Sequence, residues 1–363
     1  MNSPSEPMLS TRVIEMAAHH LNASADTLAV TRLTGDASTR AYFRVRSEEA
    51  SVIVTLYAEP FDETERAADR LARFEAESPS ARLTFANDPC AHIEATAIFL
   101  KAGLPVPPVL ASSGSDRVLF IQDVGDVKLQ DWLPLHTDRE AAGAYGRAID
   151  LIVNIQEATD LASGSICSQL AFDEMKLKWE LGFFFANYFN RYLGMRLDGA
   201  TANGVQSDFK AICAELAARP RVLTHRDYHA RNLMMHEGNL FIIDHQDARM
   251  GPASYDLASL VSDPYTALDR KRENELVEKF IRLKADSNAE FDEHEFRQEL
   301  ELMTLQRMLK AVGTYANQAA VANKTIYVPY IAPAIERALA AIDSIARFDN
   351  TRSLLERTID WQK

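Results

Sequence analysis

Apolar positions recur at helical spacing over residues 10–21, where Val13, Met16, Ala17 and His20 share one face, and the pattern then changes to period two. Residues 28–33, 40–46 and 51–57, rich in Val, Ile, Thr and aromatic side chains, predict three short strands in an antiparallel meander with a first turn at 34–38. A charged helical stretch at 62–76 follows. Asp88-Pro89 then supplies an N-cap and a first-turn proline for a helix that runs to Ala102 and closes at Gly103. The prolines within 104–108 cannot continue a helix, because each removes a donor and restricts the residue before it, so they lead into a strand. Residues 118–122 form a compact apolar strand that enters the polar turn Asp123-Val124-Gly125-Asp126. Beyond it, residues 138–159, 172–193, 207–218, 292–317 and 333–345 carry helical spacing, and only 221–244 interrupts them with strand-like pairs. The expected fold is α+β and bilobal: an N-terminal antiparallel sheet lobe over 1–123 and a larger helical C-terminal lobe over 124–363. The joint between lobes is the natural place for a ligand.

Composition adds limits. With 363 residues, 47% apolar and 25% charged, the chain can bury a core without disulfides or a structural metal. Lys plus Arg number 39 against 52 Asp plus Glu, a net charge of −13, which argues against general attraction to nucleic acid or an anionic membrane. Any phosphate must therefore be held by local groups. The apolar runs fall well short of the roughly 20 residues that span a bilayer. The polar first ten residues lack a secretory pattern, and Cys90, Cys167 and Cys213 are widely spaced with no CxxC pair, as in a reducing compartment. A cytoplasmic monomer acting on a small molecule is the expectation.

Four of the nine histidines, His225, His229, His236 and His245, fall within 21 residues, and the chemistry should lie there. The segment 222–232 reads as a short apolar strand followed by a polar loop carrying Asp227 and Asn232. Asp244 comes twelve residues after Asn232, at the end of a second apolar run, and a hairpin through 236–239 brings it toward the loop. Two carboxylates and an amide oxygen form an all-oxygen set suited to Mg²⁺ and a hydroxyl substrate. Phosphoryl transfer uses this combination, with Asp227 accepting the hydroxyl proton and Asn232 and Asp244 holding the metal. Two other readings use the same stretch. His225, Asp227 and His229, with His245 and Asp247 nearby, could hold zinc or iron for hydrolysis, or the chain could bind without transfer.

The string His225-x-Asp227-x-x-x-x-Asn232, followed by a strand ending in Asp244, resembles the paired motifs of aminoglycoside phosphotransferases and related small-molecule kinases, whose fold is protein-kinase-like. The resemblance implies ATP and Mg²⁺ as cofactors. It places Gly35, Asp36, Ala37 and Ser38 in a phosphate-covering loop, Gln122, Asp123 and Val124 at an adenine-facing hinge, and Asp256 as a brace of the catalytic loop. Arg40, Tyr42-Phe43-Arg44, Arg231-Asn232-Leu233-Met234 and Asp244-His245-Gln246-Asp247 are similar to the members that phosphorylate the anomeric hydroxyl of N-acetylmuramate or N-acetylglucosamine in cell-wall recycling. Aminoglycoside or choline-like acceptors are the alternatives. Asp263, Tyr265, Gln246, Asp247 and Glu180 are the amino-sugar candidates. Two departures stand out: His245 replaces a phenylalanine, and Thr55 occupies the position of a strand lysine that usually holds phosphate. Arg40 or Arg44 is the expected substitute cation.

Overall fold

A computed structural model of the chain describes residues 8–33, 40–83, 85, 88–266 and 268–359. The chain divides into two compact units, Met1–Asp126 with Met234–Asp247, and Val127–Leu233 with Ala248–Lys363.

In the first unit the Ser10 hydroxyl accepts from the Val13 amide at 3.3 Å and starts helix α1 (Thr11–His20). Strands β1 (Ala29–Leu33), β2 (Ala41–Arg46) and β3 (Ser51–Leu56) form the expected antiparallel meander, with Val30 opposite Val45 and Phe43 opposite Val54. Helix α2 (Ala67–Glu77) begins five residues later than the charge pattern predicts. The cause is local: Asp62 Oδ1 accepts from the Thr64 amide and hydroxyl, an alternative to helix that short polar side chains offer the backbone. Helix α3 (Pro89–Lys101) has the predicted cap, Asp88 accepting from the amides of Cys90 and Ala91, and Gly103 at φ +72° turns the chain out of it. Strands β4 (Val109–Ser113) and β5 (Val118–Gln122) complete a five-stranded sheet of order β1-β2-β3-β5-β4. Its core face presents Phe43, Val45, Val52, Val54 and Phe120, which bury against Val13 and Ala17 of α1. Each such side chain contributes on the order of 2 kcal/mol.

The second unit is mostly helical: α4 (Leu129–Trp132), α5 (Asp138–Glu157), α6 (Ile166–Gln169) and α7 (Glu174–Phe184), which widens into a π-helical stretch at Phe185–Tyr192. Helix α8 (Gly199–Ala217) starts eight residues earlier than its apolar pattern suggests, because Asp198 caps an N-terminal turn built from small polar residues. After β6 (Arg221–Thr224) the chain enters the first unit through the hairpin of β7 (Leu233–His236) and β8 (Asn239–Ile242). It returns with β9 (Arg249–Pro252), which pairs antiparallel with β6. Helices α9 (Tyr255–Val261), α10 (Arg270–Ser287), α11 (Glu293–Ala320), α12 (Ile331–Ile345) and α13 (Asp349–Ile359) follow. Helix α11 runs through the core of this unit, and Gly313 lets it approach α7 so closely that a Cβ there would lie 2.6 Å from the Phe184 Cα. Among the described residues no helix is long and apolar enough to cross a membrane.

Candidate active site

In the second unit, β6 ends at Thr224 and the loop that follows is gripped from below. Buried Asp256, at the start of α9, accepts from the His225 amide at 2.6 Å and the Arg226 amide at 3.0 Å. That double bond holds Arg226 at φ +86°, a backbone state that costs a non-glycine residue about 1 to 3 kcal/mol unless its surroundings fix it. The loop then closes on itself, with the His229 amide and Asn232 Nδ2 both donating to the Asp227 carbonyl, at 3.0 and 2.9 Å. Asn232 thus has its amide nitrogen bound and its Oδ1 without a partner among the described residues.

The Asp227 side chain projects among cations. Lys310 Nζ lies 2.8 Å from Oδ1, Arg307 Nη1 3.4 Å from the same oxygen, and Arg226 Nη1 3.6 Å from Oδ2. Burial alone would raise the pKa of this carboxyl, but Lys310, Arg226 and Arg307 outweigh it and hold the group well below the usual carboxylate range. Arg307 is itself fixed by the Tyr255 hydroxyl and the Arg226 carbonyl, both at 2.9 Å. Asp227 is therefore an ionised carboxylate at neutral pH, able to accept a proton.

In the first unit, Asp244 follows β8 in a left-handed backbone conformation, φ +63°, with a side chain 41% exposed. Its Oδ1 accepts from Gln246 Nε2 at 2.7 Å and from Arg40 Nη2 at 3.4 Å, while Oδ2 has no partner among the described residues. Asp244 thus offers a carboxylate oxygen and Asn232, in its own unit, an amide oxygen without a partner among the described residues, and each is by itself a hard donor of the kind that Mg²⁺ takes. His245 is buried, stacked on Phe99 with centroids 5.3 Å apart and edge-on to His92. Its Nε2 lies 2.7 Å from the Thr96 hydroxyl, and because that hydroxyl donates to the His92 carbonyl, the histidine must be the donor. The histidine fills the place of an aromatic ring and adds a hydrogen bond to α3.

The sequence profile of the phosphotransferase enzyme family matches residues 29–297. The chain belongs to that family. It is 30% identical to the N-acetylmuramate/N-acetylglucosamine kinase of Pseudomonas aeruginosa over 230 residues, which is 62% of this chain and 64% of that one. Against the kinase of the same name from Pseudomonas putida it is 30% identical over 213 residues, 58% of this chain and 60% of the other. The matched region thus spans less than two thirds of the length of either relative. A solved spectinomycin phosphotransferase in complex with ADP and spectinomycin shares the fold, with a TM-score of 0.55 at 13% identity, covering 93% of this chain and 99% of that one.

The remaining candidates of this phosphotransferase are distributed as follows. Gly35, Asp36, Ala37 and Ser38 lie outside the described residues. Arg44 donates to both oxygens of Asp123 at 2.6 and 3.0 Å, to Asp126 and to the Gly125 carbonyl, so its guanidinium is engaged with the turn after β5. Asp123 also accepts from Ser51 and from the Gly125 amide. Val124 is buried, and the Gln122 amide donates to the Pro108 carbonyl. Thr55 is fully buried, which leaves Arg40 as the arginine beside Asp244.

Asp263 accepts from the amides of Ala230 and Tyr265, a backbone clamp under the loop that carries Asp227, and burial pushes its carboxyl up to about 6. Tyr265 packs edge-on to His229. Glu180 is buried on α7, where Gln306 donates to it at 2.9 Å and Lys176 lies 3.9 Å away. Gln246 and Asp247 are buried in a 3₁₀ turn with His245. The hydrolase reading gains nothing here: among the described residues no three His, Cys, Asp or Glu side chains are grouped to hold a metal ion. Sequence reasoning missed Lys310 and Arg307. Their signal was two cations three residues apart, hence on one face, within the largely buried middle of α11.

Proposed function

We propose that this phosphotransferase is an ATP- and Mg²⁺-dependent kinase that phosphorylates the anomeric hydroxyl of N-acetylmuramate or N-acetylglucosamine. The observation that carries the reading is the ionised Asp227 at the centre of three cations, on a loop pinned by Asp256 and Asp263. Two relatives named as kinases of these sugars support the choice of acceptor. A related fold solved with ADP supports the nucleotide.

Asp227 orients the sugar hydroxyl and takes its proton as the oxygen attacks the γ-phosphorus, whose bond to the β,γ-bridging oxygen breaks so that ADP leaves. Lys310, Arg307 and Arg226 keep that carboxylate ionised and give an acidic chain a local positive field where phosphate charge moves. Asn232 and Asp244 would hold Mg²⁺, which when bound neutralises phosphate charge. Arg40 serves the phosphates in place of the strand lysine, while Arg44 shapes the hinge turn whose backbone at Asp123 and Val124 receives the adenine. Residues 1–123 then handle nucleotide and 124–363 carry catalysis and sugar recognition, in a cytoplasmic monomer.

The direct test is a panel of N-acetylmuramate, N-acetylglucosamine, an aminoglycoside and choline with ATP and Mg²⁺, followed by phosphorus NMR. A sugar 1-phosphate signal is the expected result. Transfer only to choline or the aminoglycoside, or no transfer, would remove the assignment.

A further inference from the structure

The half-buried Arg231 stands immediately before Asn232, in the 3₁₀ turn Ala230–Asn232 of the loop that carries Asp227. Its guanidinium carbon lies 3.5 Å from the centroid of the Tyr265 ring, with Tyr330 at 5.4 Å and Tyr327 at 5.9 Å. Tyr265 is packed edge-on to Tyr315 and Tyr330, so the platform under the arginine is itself fixed from α11 and from the turn before α12. Nε donates to Gln130 Oε1 at 2.7 Å, and Nη2 reaches the Tyr330 hydroxyl at 3.3 Å. Both polar partners are neutral. Among the described residues Arg231 makes no ion pair, unlike Arg226 of the same loop and Arg307 of α11, which face Asp227. Asp263 feels the charge of Arg231 but makes no ion pair with it, its two oxygens accepting from the amides of Ala230 and Tyr265.

A guanidinium has five N–H donors in a planar fork, and here two are occupied. An arginine stacked on a ring keeps its fork oriented, and a partly desolvated cation without a counter-charge favours an anion more than a solvated one does. We infer that Arg231, held on Tyr265, is a specificity-determining residue that binds a carboxylate on the acceptor, so that the preferred substrate is an acidic amino sugar of the muramic type rather than its neutral counterpart. Resting on the sugar-kinase reading, it adds the part of the acceptor that is recognised. The lactyl carboxylate of N-acetylmuramate supplies the missing charge; N-acetylglucosamine has none. A bidentate guanidinium–carboxylate contact of this kind is worth roughly ten- to a hundredfold in affinity.

The test compares N-acetylmuramate, its methyl ester and N-acetylglucosamine as acceptors for the wild type and for Arg231→Gln and Arg231→Lys. The wild type should favour the free acid over the ester by about tenfold or more in kcat/KM, through KM. In Arg231→Gln the acid-to-ester ratio should collapse toward one, and Arg231→Lys should restore part of it. Titration calorimetry of the same sugars reads the same ratio without turnover and shows whether a variant that turns over poorly is still folded. A wild type that phosphorylates the neutral sugar or the ester as well as the acid overturns the inference and leaves the kinase reading standing. So does a variant whose acid-to-ester ratio is unchanged while its KM for ATP rises, because the fork would then serve the nucleotide. A wild type that neither binds nor phosphorylates any of the three overturns both.

Discussion

The ammonium of Lys310 lies 2.8 Å from Oδ1 of Asp227, although 82 residues separate them in the chain. The pair sets the charge state of the candidate base. Burial pushes the lysine down to about 8, against the pull of Asp227, while the carboxyl is held well below its usual value. The carboxylate form is thus present at every pH above that depressed value. The ammonium form is present below about 8 and is lost above it.

Turnover should therefore show no acid limb from Asp227 itself, decline below about pH 6 only as the loop clamp Asp263 is protonated, and decline as pH rises through about 8. Lys310→Met should lower kcat by about ten- to a hundredfold and remove that alkaline limb. A pH–rate profile of both proteins checks this. An unchanged alkaline limb in the variant would assign it to another group.

Asp227→Ala should reduce kcat by about 10² to 10⁴ while nucleotide affinity, measured by calorimetry with ADP, stays within a few fold. The substitution removes the proton acceptor and leaves three cations facing one another, so a modest loss of stability should accompany it. Full turnover in this variant would remove the mechanism.

Arg44 and Asp123 form a buried two-point pair, their side chains 8% and 6% exposed. Breaking it with Arg44→Ala strands the Asp123 carboxylate and should cost about 3 to 5 kcal/mol in urea unfolding. Replacing both partners by Met and Leu should recover much of that, because no buried charge is then left unpaired and the exposed Asp126 keeps its solvation. Equal losses in the single and double variants would show that the pair does not govern the stability of this turn.

His245→Phe should keep the stacking on Phe99 and lose the bond to Thr96, a cost of about 1 kcal/mol. His245→Ala leaves a void against α3 and should raise the Mg²⁺ concentration needed for half-maximal turnover, since the chain before Gln246 and after Asp244 loses its anchor. If both variants need the same Mg²⁺ as the wild type, packing at this position has no bearing on the metal.

Gly313→Ala should destabilise the second unit by about 1 to 3 kcal/mol, despite alanine's better helix propensity, because the added methyl meets the Phe184 backbone and not a side chain that could rotate. Thermal unfolding reads it directly.

Local features could be read directly along the chain. Period-two alternation gave β2 and β3 within a residue or so of their ends, because a half-buried strand writes its two faces into consecutive residues. The Asp88-Pro89 start and Gly103 stop gave α3, because capping is settled by atoms two or three residues apart. Asp227, Asn232 and Asp244 stand out as candidates because their spacing within one stretch of chain resembles a family whose profile matches the protein.

Partners distant in sequence emerge only from packing. Nothing in the spacing says that Lys310 and Arg307 of α11 face Asp227, that Asp256 and Asp263 clamp the loop backbone, or that Arg44 is engaged by Asp123 while Arg40 turns to Asp244. Nor does it say that Met234–Asp247 joins the first unit. Periodicity and capping report the environment of a residue along its own element. Charge pairing depends on which elements packing brings within a few ångströms, and that is fixed only when the core closes.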